Sequence, residues 1–239
     1  MMRPVLFLMG LSGLPLIWSL GEAFLRGLAQ NAGGDPLFFT PGFLAFAGGA
    51  LGMLLAYAFF TAPLKLCAIF AHELTHAVVG LCCGARIHSF SVTSQGGAVT
   101  LDKMNLFIAL SPYCLPLYLL LALLISAPLL HAFPALPFWP FAALFGALTL
   151  FHLLATLDSL LTTSQSDLHL YGRLFSYWLI LTVNLLAANL ALPLANRQPL
   201  RTQFVHVATT TSQTYRTLAQ TFRHALLPLT RRIAPNRLS

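Results

Sequence analysis

Residues 63–83 read PLKLCAIFAHELTHAVVGLCC. The segment is mostly apolar and matches the roughly 20 residues that a helix needs to cross the hydrocarbon of a bilayer. Its centre, His72-Glu73-Leu74-Thr75-His76, places three ionisable side chains within five positions. An ionisable side chain at the middle of a membrane helix costs about 2.5–3.5 kcal/mol on insertion scales. The segment therefore predicts a membrane-spanning helix with a polar site inside it.

The composition of the whole chain also indicates a membrane protein. Of the 239 residues, 57% are hydrophobic and 8% are charged, and the mean hydropathy is +0.78. Soluble domains have about 45–50% apolar and about 25% charged residues. The composition excludes a soluble globular enzyme, and it excludes a disordered chain because disorder requires low hydrophobicity.

Apolar stretches that could cross a membrane recur along the chain. They cover residues 4–20, 42–60, 63–83, 104–130, 138–162 and 172–195. We predict an all-α polytopic membrane protein with about six transmembrane helices, the first of them retained because no small-x-small cleavage site follows it. Thr61 is expected to cap the third helix, with Pro63 in its first turn. A single kinked helix through this point would give five helices instead.

The segment that follows the third apolar stretch has a different pattern. Residues 84–101 read GARIHSFSVTSQGGAVTL, with Phe90 and Val92 alternating with small polar residues. This alternation predicts a short strand, a turn at Gly96-Gly97 and a second strand. Because a sheet edge cannot face lipid, the β-hairpin is expected at the membrane interface or beside a cavity.

Basic residues are concentrated at the C-terminal end of the chain. Residues 196–239 hold seven of the 13 Lys and Arg residues and no Asp or Glu. We interpret residues 1–195 as a membrane-embedded domain and 196–239 as a basic tail, either cytoplasmic or an amphipathic helix on an anionic lipid surface. Because the basic tail adjoins a transmembrane segment, nucleic acid is not an expected partner.

The motif at residues 72–76 has the spacing of a metal site. On a helix, side chains four positions apart lie on one face, so His72 and His76 can bind one metal ion. Glu73 lies at the neighbouring position, where its carboxylate can act as a base on a water held by zinc. A catalytic zinc normally has three protein ligands. The candidates for the third ligand are Asp167, Asp158, His152, His169 and His88.

The chain resembles the site-2 proteases, a family of intramembrane zinc metalloproteases, and among them the small bacterial members without a PDZ domain. The resemblance covers roughly residues 60–190. It rests on HELTH in a membrane helix, on the glycine-containing hairpin after it, and on the Ser-x-x-Asp-Leu element Ser164-Gln165-Ser166-Asp167-Leu168. Because the chain lacks the Asp-Gly pair of the better-known members, Asp158 stays an alternative third ligand.

The resemblance implies a function and a set of roles. His72, His76 and Asp167 would bind Zn²⁺, and Glu73 would be the catalytic base. The substrate would be a transmembrane protein cleaved in or near its membrane segment, and the location would be the inner (cell) membrane of a bacterium with the tail cytoplasmic. The alternatives are a metal-binding membrane scaffold of the same fold that cleaves nothing, and a small transporter.

Overall fold

The computed structural model describes residues 2–29, 40–162, 166–195 and 199–233. Helices dominate this part of the chain, and two short strands lie between the fourth and fifth helices. The elements in chain order are α1 (Met2–Ser12), α2 (Leu14–Ala29), α3 (Pro41–Phe59), α4 (Thr61–Cys82), β1 (Ile87–Thr93), β2 (Gly96–Leu101), α5 (Leu106–Cys114), α6 (Leu117–Ala132), α7 (Trp139–Thr162), α8 (Ser166–Leu170), α9 (Arg173–Ala195) and α10 (Leu200–Ile233).

The predicted membrane architecture is confirmed. Five stretches of helix are long and apolar enough to cross a membrane, and α5 with α6 makes a sixth if this bent pair counts as one span. The five are Pro4–Ala29, Pro41–Phe59, Thr61–Cys82, Trp139–Leu161 and Arg173–Ala195. The first span continues beyond the predicted 4–20 to Ala29 and includes Glu22 and Arg26, which form an ion pair one helical turn apart. The chain is a multi-pass, mainly α-helical membrane protein with a β-hairpin.

The boundary between α3 and α4 differs in detail from the prediction. Two separate helices are present, and Pro63 lies in the first turn of α4 as expected. Thr61 is not the cap, however, because the helix begins at Thr61 itself. Its hydroxyl donates a hydrogen bond to the carbonyl oxygen of Tyr57 in α3, at 3.0 Å. The cap position is Phe60, which has no side-chain hydrogen bond to offer.

The apolar stretch predicted at 104–130 is broken. Helices α5 and α6 meet at an angle of 73°, and Leu115 between them is extended, with φ −106° and ψ 112°. The cause is Pro116, since a residue before proline avoids the helical region. The carbonyl of Tyr113 in the last turn of α5 accepts a hydrogen bond from Asn184 Nδ2 of α9, at 2.8 Å. Such pairing is what allows non-helical backbone at membrane depth.

The predicted β-hairpin is present, with its turn two residues earlier than expected. Strands β1 and β2 pair antiparallel, and Thr93 lies opposite Gly96. The turn is therefore at Ser94-Gln95, and Gly96 and Gly97 belong to β2. Both strands pack against α4, where Phe90 contacts Phe70 edge-on with ring centroids 6.0 Å apart.

Helices α3 and α7 pack more extensively against each other than any other pair of described elements. Gly49 of α3 lies against the backbone of Ala143, and Gly146 of α7 lies against the backbone of Phe46. Small residues allow two helix backbones to approach this closely, and the resulting van der Waals packing stabilises a helix pair in a membrane. Gly48, one residue before Gly49, has no atom within 4 Å of the position a Cβ would take.

We expect Gly49→Ala to destabilise the α3–α7 pair and Gly48→Ala to leave it intact. A Cβ at Gly49 would overlap the carbonyl oxygen of Ala143, and the forced separation of the helices should cost about 1–3 kcal/mol. Thermal unfolding of the two variants in detergent measures the difference. Equal unfolding temperatures for both variants would contradict the close packing of α3 on α7.

The basic tail forms a long helix that packs on the membrane domain. Gln203 of α10 donates a hydrogen bond to Asn189 of α9, at 3.1 Å, and the hydroxyls of Thr211 and Ser19 are 3.1 Å apart. Val207 is buried against Leu20 of α2. The first half of α10 therefore lies along α2. Part of the amphipathic prediction concerned residues 226–239, whose side chains lie outside the described part.

Candidate metal centre

Three predicted ligands come together in the structure. His72 and His76 lie one turn apart on α4, and Asp167 lies in the first turn of α8. One potential ligand atom from each side chain lies within 4.8 Å of the others. His76 Nε2 and Asp167 Oδ2 are 3.4 Å apart. Side chains about 95 positions apart in the sequence thus converge on a single point.

His76 is held by a hydrogen bond at its second ring nitrogen. Its side chain is buried, and Nδ1 lies 2.8 Å from the carbonyl oxygen of Ile108 in α5. Since a carbonyl only accepts, Nδ1 carries a proton, and Nε2 is the nitrogen that can bind a metal ion beside Asp167. Metal-bound histidines commonly have this arrangement, in which a backbone carbonyl fixes the tautomer and the ring orientation.

The start of α5 positions the carbonyl of Ile108. Asn105 caps the helix, and its side-chain oxygen accepts a hydrogen bond from the backbone N–H of Ile108 at 2.9 Å. The backbone of Ile108 is consequently held at both its N–H and its carbonyl. An Asn cap is readable in a sequence, but its link to His76 is not, because the two residues belong to different helices.

Asp167 is held by the packing of the residue next to it. Leu168 is buried in a cluster with Leu110, Tyr113 and Ile180, and its carbonyl accepts a hydrogen bond from Ser176 Oγ at 3.2 Å. The side chain of Asp167 is 14% exposed. A carboxylate in so little solvent requires a charged or hydrogen-bonding partner, and His76 Nε2 lies 3.4 Å from Asp167 Oδ2.

The ring of His72 lies close to the rings of His76 and Tyr113. Its ring is 4.9 Å from that of His76 and 5.1 Å from that of Tyr113, in an edge-on arrangement. Tyr113 is fully buried, and its backbone is held by Asn184. Tyr113 is therefore closely packed where it contacts His72, which limits the positions that the imidazole can adopt.

Glu73 lies beside the three ligands and faces the hairpin. Its carboxylate is half-buried and interacts with the backbone N–H of Val99 in β2. A Cβ added at Gly97 would lie 2.5 Å from Glu73 Cγ, so only glycine allows the strand to approach this closely. Glu73 is outside the group of potential ligands. This is the arrangement expected of a base that acts next to a metal without binding it.

A cavity of about 280 Å³ opens beside the site. His72 and Glu73 contribute to one wall, and the turn and first residues of β2 contribute another. The remaining walls come from α5, α6 and α7, including Tyr118, Phe151 and Asp158. The cavity is large enough for water and for part of a peptide chain, and Glu73 lies in its wall.

The other candidate ligands lie elsewhere. Asp158 and His152 of α7 line the cavity but do not belong to the group of potential ligands. His169 is exposed and lies 3.1 Å from the Arg173 guanidinium. His88 is on β1 and exposed. Ser164 and Gln165, part of the element on which the resemblance rested, lie outside the described residues.

The donor set suits zinc. Two imidazole nitrogens and one carboxylate oxygen are ligands that zinc accepts, and three protein ligands leave the fourth position for water or substrate. Two further features fit a metal site: the hydrogen bond of His76 Nδ1 to the Ile108 carbonyl and the low exposure of Asp167. Residues 72, 76 and 167 would hold the ion.

Comparisons of the whole chain with family models, curated proteins and solved structures find no match. The function is therefore inferred from the chemistry of the site and from its position in a membrane protein.

Proposed function

We propose that the protein is an intramembrane zinc metalloprotease of the site-2 type, which hydrolyses a peptide bond in or near a transmembrane segment of another membrane protein. The observation that carries the proposal is the grouping of two histidines and Asp167 beside Glu73 at the wall of a cavity. The two histidines and Glu73 lie in a helix apolar enough to cross the membrane. A metal-assisted hydrolase needs this combination of ligands, base and access for water.

Glu73 performs the proton transfers in the proposed reaction. Zinc, when bound, supplies Lewis-acid chemistry, lowering the pKa of water and polarising the scissile carbonyl. Glu73 removes a proton from the attacking water as the new C–O bond forms at the scissile carbonyl carbon. It then delivers that proton to the amide nitrogen as the C–N bond breaks. The contact with Val99 orients the carboxylate for both steps.

The hairpin is suited to hold the substrate in an extended form. A helical substrate hides its carbonyls in hydrogen bonds, so it must unwind before attack. The N–H of Val99 is directed at Glu73 and therefore away from β1. In an antiparallel pair, residues two positions apart direct their backbone groups to the same side, so the N–H and carbonyl of Gly97 also point away from β1. Gly97 is one of the residues that line the cavity. An extended peptide can therefore add to β2 as a further strand and run toward the metal site.

The assay for this proposal is cleavage of membrane peptides. The purified protein is reconstituted into vesicles with a library of single-span polypeptides, and products are identified by mass spectrometry. We expect cleavage within or next to the apolar segment, lost when zinc is chelated and restored when zinc is returned. A protein that binds zinc but yields no product with any substrate would favour a metal-binding scaffold. Solute flux that continues after chelation would favour a transporter.

Gly97→Ala is expected to lower turnover by about 100-fold, because displacing a catalytic group by about 1 Å has an effect of that size. The new methyl group would overlap Glu73 and Ile69, whereas neither His72 nor His76 is among the atoms nearest to it. Zinc content should therefore be unchanged. The control is Ala98→Ser, an exposed neighbour in β2. Full activity in Gly97→Ala would contradict the proposed role of this strand.

The proposed location is the inner membrane of a bacterium, with the C-terminal segment on the cytoplasmic side. The support is the excess of Arg in residues 196–239 next to the last apolar span, because positively charged segments near membrane helices stay in the cytoplasm. Anionic lipids on that side would attract the same residues. Proteolysis of the tail in inverted and right-side-out vesicles tests this orientation.

A further inference from the structure

The cavity beside the candidate metal centre extends along α4 toward the start of that helix. Lys65, Ile69 and His72 all line it, and their spacing of four and three positions places them on one face of α4. Lys65 comes seven residues before His72, which is about 10 Å along the axis at 1.5 Å per residue. The cavity therefore connects the metal centre with the side chain of Lys65.

The hairpin runs alongside this part of α4. Leu101, at the end of β2, lies against Gly80, and Gly97 lies against Ile69. The start of β2 and the turn before it are therefore directed toward Lys65, and residues of both line the cavity. A peptide that adds to β2 at the metal centre would continue past the turn to the Lys65 side chain.

The charges around the cavity are unevenly placed. Lys65 is the only Lys or Arg among the described residues that line it, whereas Glu73 and Asp158 are acidic. Lys65 is exposed, and in the described part of the chain its ammonium group forms no ion pair and no hydrogen bond. Because α4 begins at Thr61, Lys65 lies one turn inside the span, where a long side chain reaches the membrane surface.

We propose that Lys65 binds a carboxylate of the substrate, from an Asp or Glu side chain about two to five residues from the scissile bond. An extended peptide advances about 3.3 Å per residue, so about 10 Å corresponds to about three residues, and the long lysine side chain widens this range. At neutral pH, carboxylates are the groups of a polypeptide that carry the charge opposite to an ammonium group. The inference rests on the proposed function and names its substrate class: single-span proteins with an acidic residue near one boundary of the apolar segment.

The direction of strand pairing determines on which side of the scissile bond the acidic residue lies. From its first residue to its last, β2 runs away from Lys65. A substrate strand antiparallel to β2 therefore runs toward Lys65 and brings residues C-terminal to the scissile bond to it. Antiparallel pairs outnumber parallel pairs by about two- to three-fold in known sheets, so we expect the acidic residue on the C-terminal side.

Peptides that differ in one charge test the proposal. A single-span peptide is made with Asp, Asn or Lys at each position of its apolar segment in turn, and KM and kcat are measured with the full-length protein in phosphatidylcholine vesicles. We expect Asp to lower KM about fivefold relative to Asn, the upper end of the range for an exposed ion pair, and only at about two to five residues C-terminal to the cleaved bond. Because the ion pair is the same in the ground state and the transition state, kcat should not change.

Substitutions of Lys65 should change this preference in a defined order. Lys65→Arg should keep it, and Lys65→Glu should reverse it, so that the peptide with Lys has the lowest KM. The control is Lys103→Gln, because the other lysine of the chain is exposed outside the cavity and donates a hydrogen bond to the Gly84 carbonyl at 2.8 Å, beyond the far end of α4. This variant should prefer Asp as the unaltered protein does. Misfolding cannot reverse a charge preference.

Binding of the same peptides to Glu73→Gln separates this inference from the proposed function. The dissociation constants are measured by fluorescence anisotropy of labelled peptides. A preference for Asp that Lys65→Glu reverses in this background supports the Lys65 site even when the unaltered protein cleaves no peptide, an outcome that contradicts only the proposed function.

Two outcomes would overturn the inference. Cleavage with equal KM for the peptides with Asp, Asn and Lys would mean that the Lys65 ammonium group faces lipid headgroups and does not contact the substrate. Equal loss of the preference in Lys65→Glu and Lys103→Gln would mean that the general charge of the protein attracts the peptide.

Discussion

Glu73→Gln is expected to reduce peptide-bond hydrolysis by about 10²–10⁴-fold, the usual contribution of a general acid–base group. Glutamine keeps the size of the side chain and its place against Gly97, but an amide cannot accept the proton from water. Because Glu73 is outside the group of potential ligands, the variant should bind zinc as tightly as the unaltered protein. The measurement is turnover of a cleaved peptide alongside zinc content.

Glu73→Asp is the complementary variant, because it keeps the carboxylate and changes the length of the side chain. It keeps the charge but withdraws it by one methylene from the metal site, so we expect intermediate activity. If Glu73→Gln cleaves substrate at the normal rate, Glu73 is not the base and the assignment as a hydrolase of this type is wrong.

Asp167→Ala is expected to weaken zinc binding by more than about 100-fold, since losing even an outer-shell partner of a ligand costs about 10–100-fold. Asp158→Ala should leave zinc binding unchanged, because Asp158 does not belong to the group of side chains whose potential ligand atoms lie within 4.8 Å of one another. Competition with a chelating dye measures the dissociation constants of both variants. Thermal unfolding in excess chelator checks that both remain folded.

The opposite pattern would overturn the assignment of the third ligand. Zinc retained in Asp167→Ala and lost in Asp158→Ala would require α7 to supply the ligand in place of α8. The two carboxylates are the only acidic candidates that the sequence offered for this role, so the pair of variants decides between them.

The positions of the membrane spans could be predicted from the sequence because burial in lipid is a property of local composition. Residues 42–60, 63–83 and 172–195 each appear as helices within a few residues of the predicted bounds. The first span was predicted too short because Glu22 and Arg26 look like an interface by composition. In the structure the helix continues through both residues, which pair across one turn.

Local detail at helix ends was harder to predict. Thr61 has the chemistry of a cap, yet its hydroxyl bonds to Tyr57 on the preceding helix. The break at Leu115 follows from Pro116, a signal that was present in the stretch predicted as one span. The glycines of the hairpin were assigned to the turn, but Gly97 serves close packing against Glu73. Such a role depends on a contact between α4 and β2 that no local pattern contains.

The residues of the candidate metal centre also differ in whether the sequence alone could predict them. His72 and His76 are readable because their spacing places both on one helix face. Asp167 could be singled out only by the family resemblance, since nothing local distinguishes it from Asp158. The carbonyl of Ile108 and the ring of Tyr113 were not predictable, because backbone atoms and apolar neighbours have no sequence signature of a site.

The few acidic residues in the described part now have structural roles. Glu22 pairs with Arg26, and Asp102 accepts a hydrogen bond from the backbone N–H of Arg86 at the base of the hairpin, at 2.7 Å. Glu73 and Asp167 belong to the candidate metal centre, and Asp158 lines its cavity. Asp35 lies outside the described residues. Apart from Glu22, which is paired with Arg26 in the first span, the described acidic residues within or next to the spans lie around one site, as expected when each is costly to bury.

Zinc X-ray absorption spectroscopy of the purified protein tests the central claim most directly. We expect one zinc per chain with nitrogen and oxygen neighbours at about 2.0–2.2 Å, contributed by two imidazoles, one carboxylate and water. A protein that binds no zinc, or a spectrum with sulfur at about 2.3 Å, the distance to a cysteine thiolate, would contradict a metal centre built from His72, His76 and Asp167.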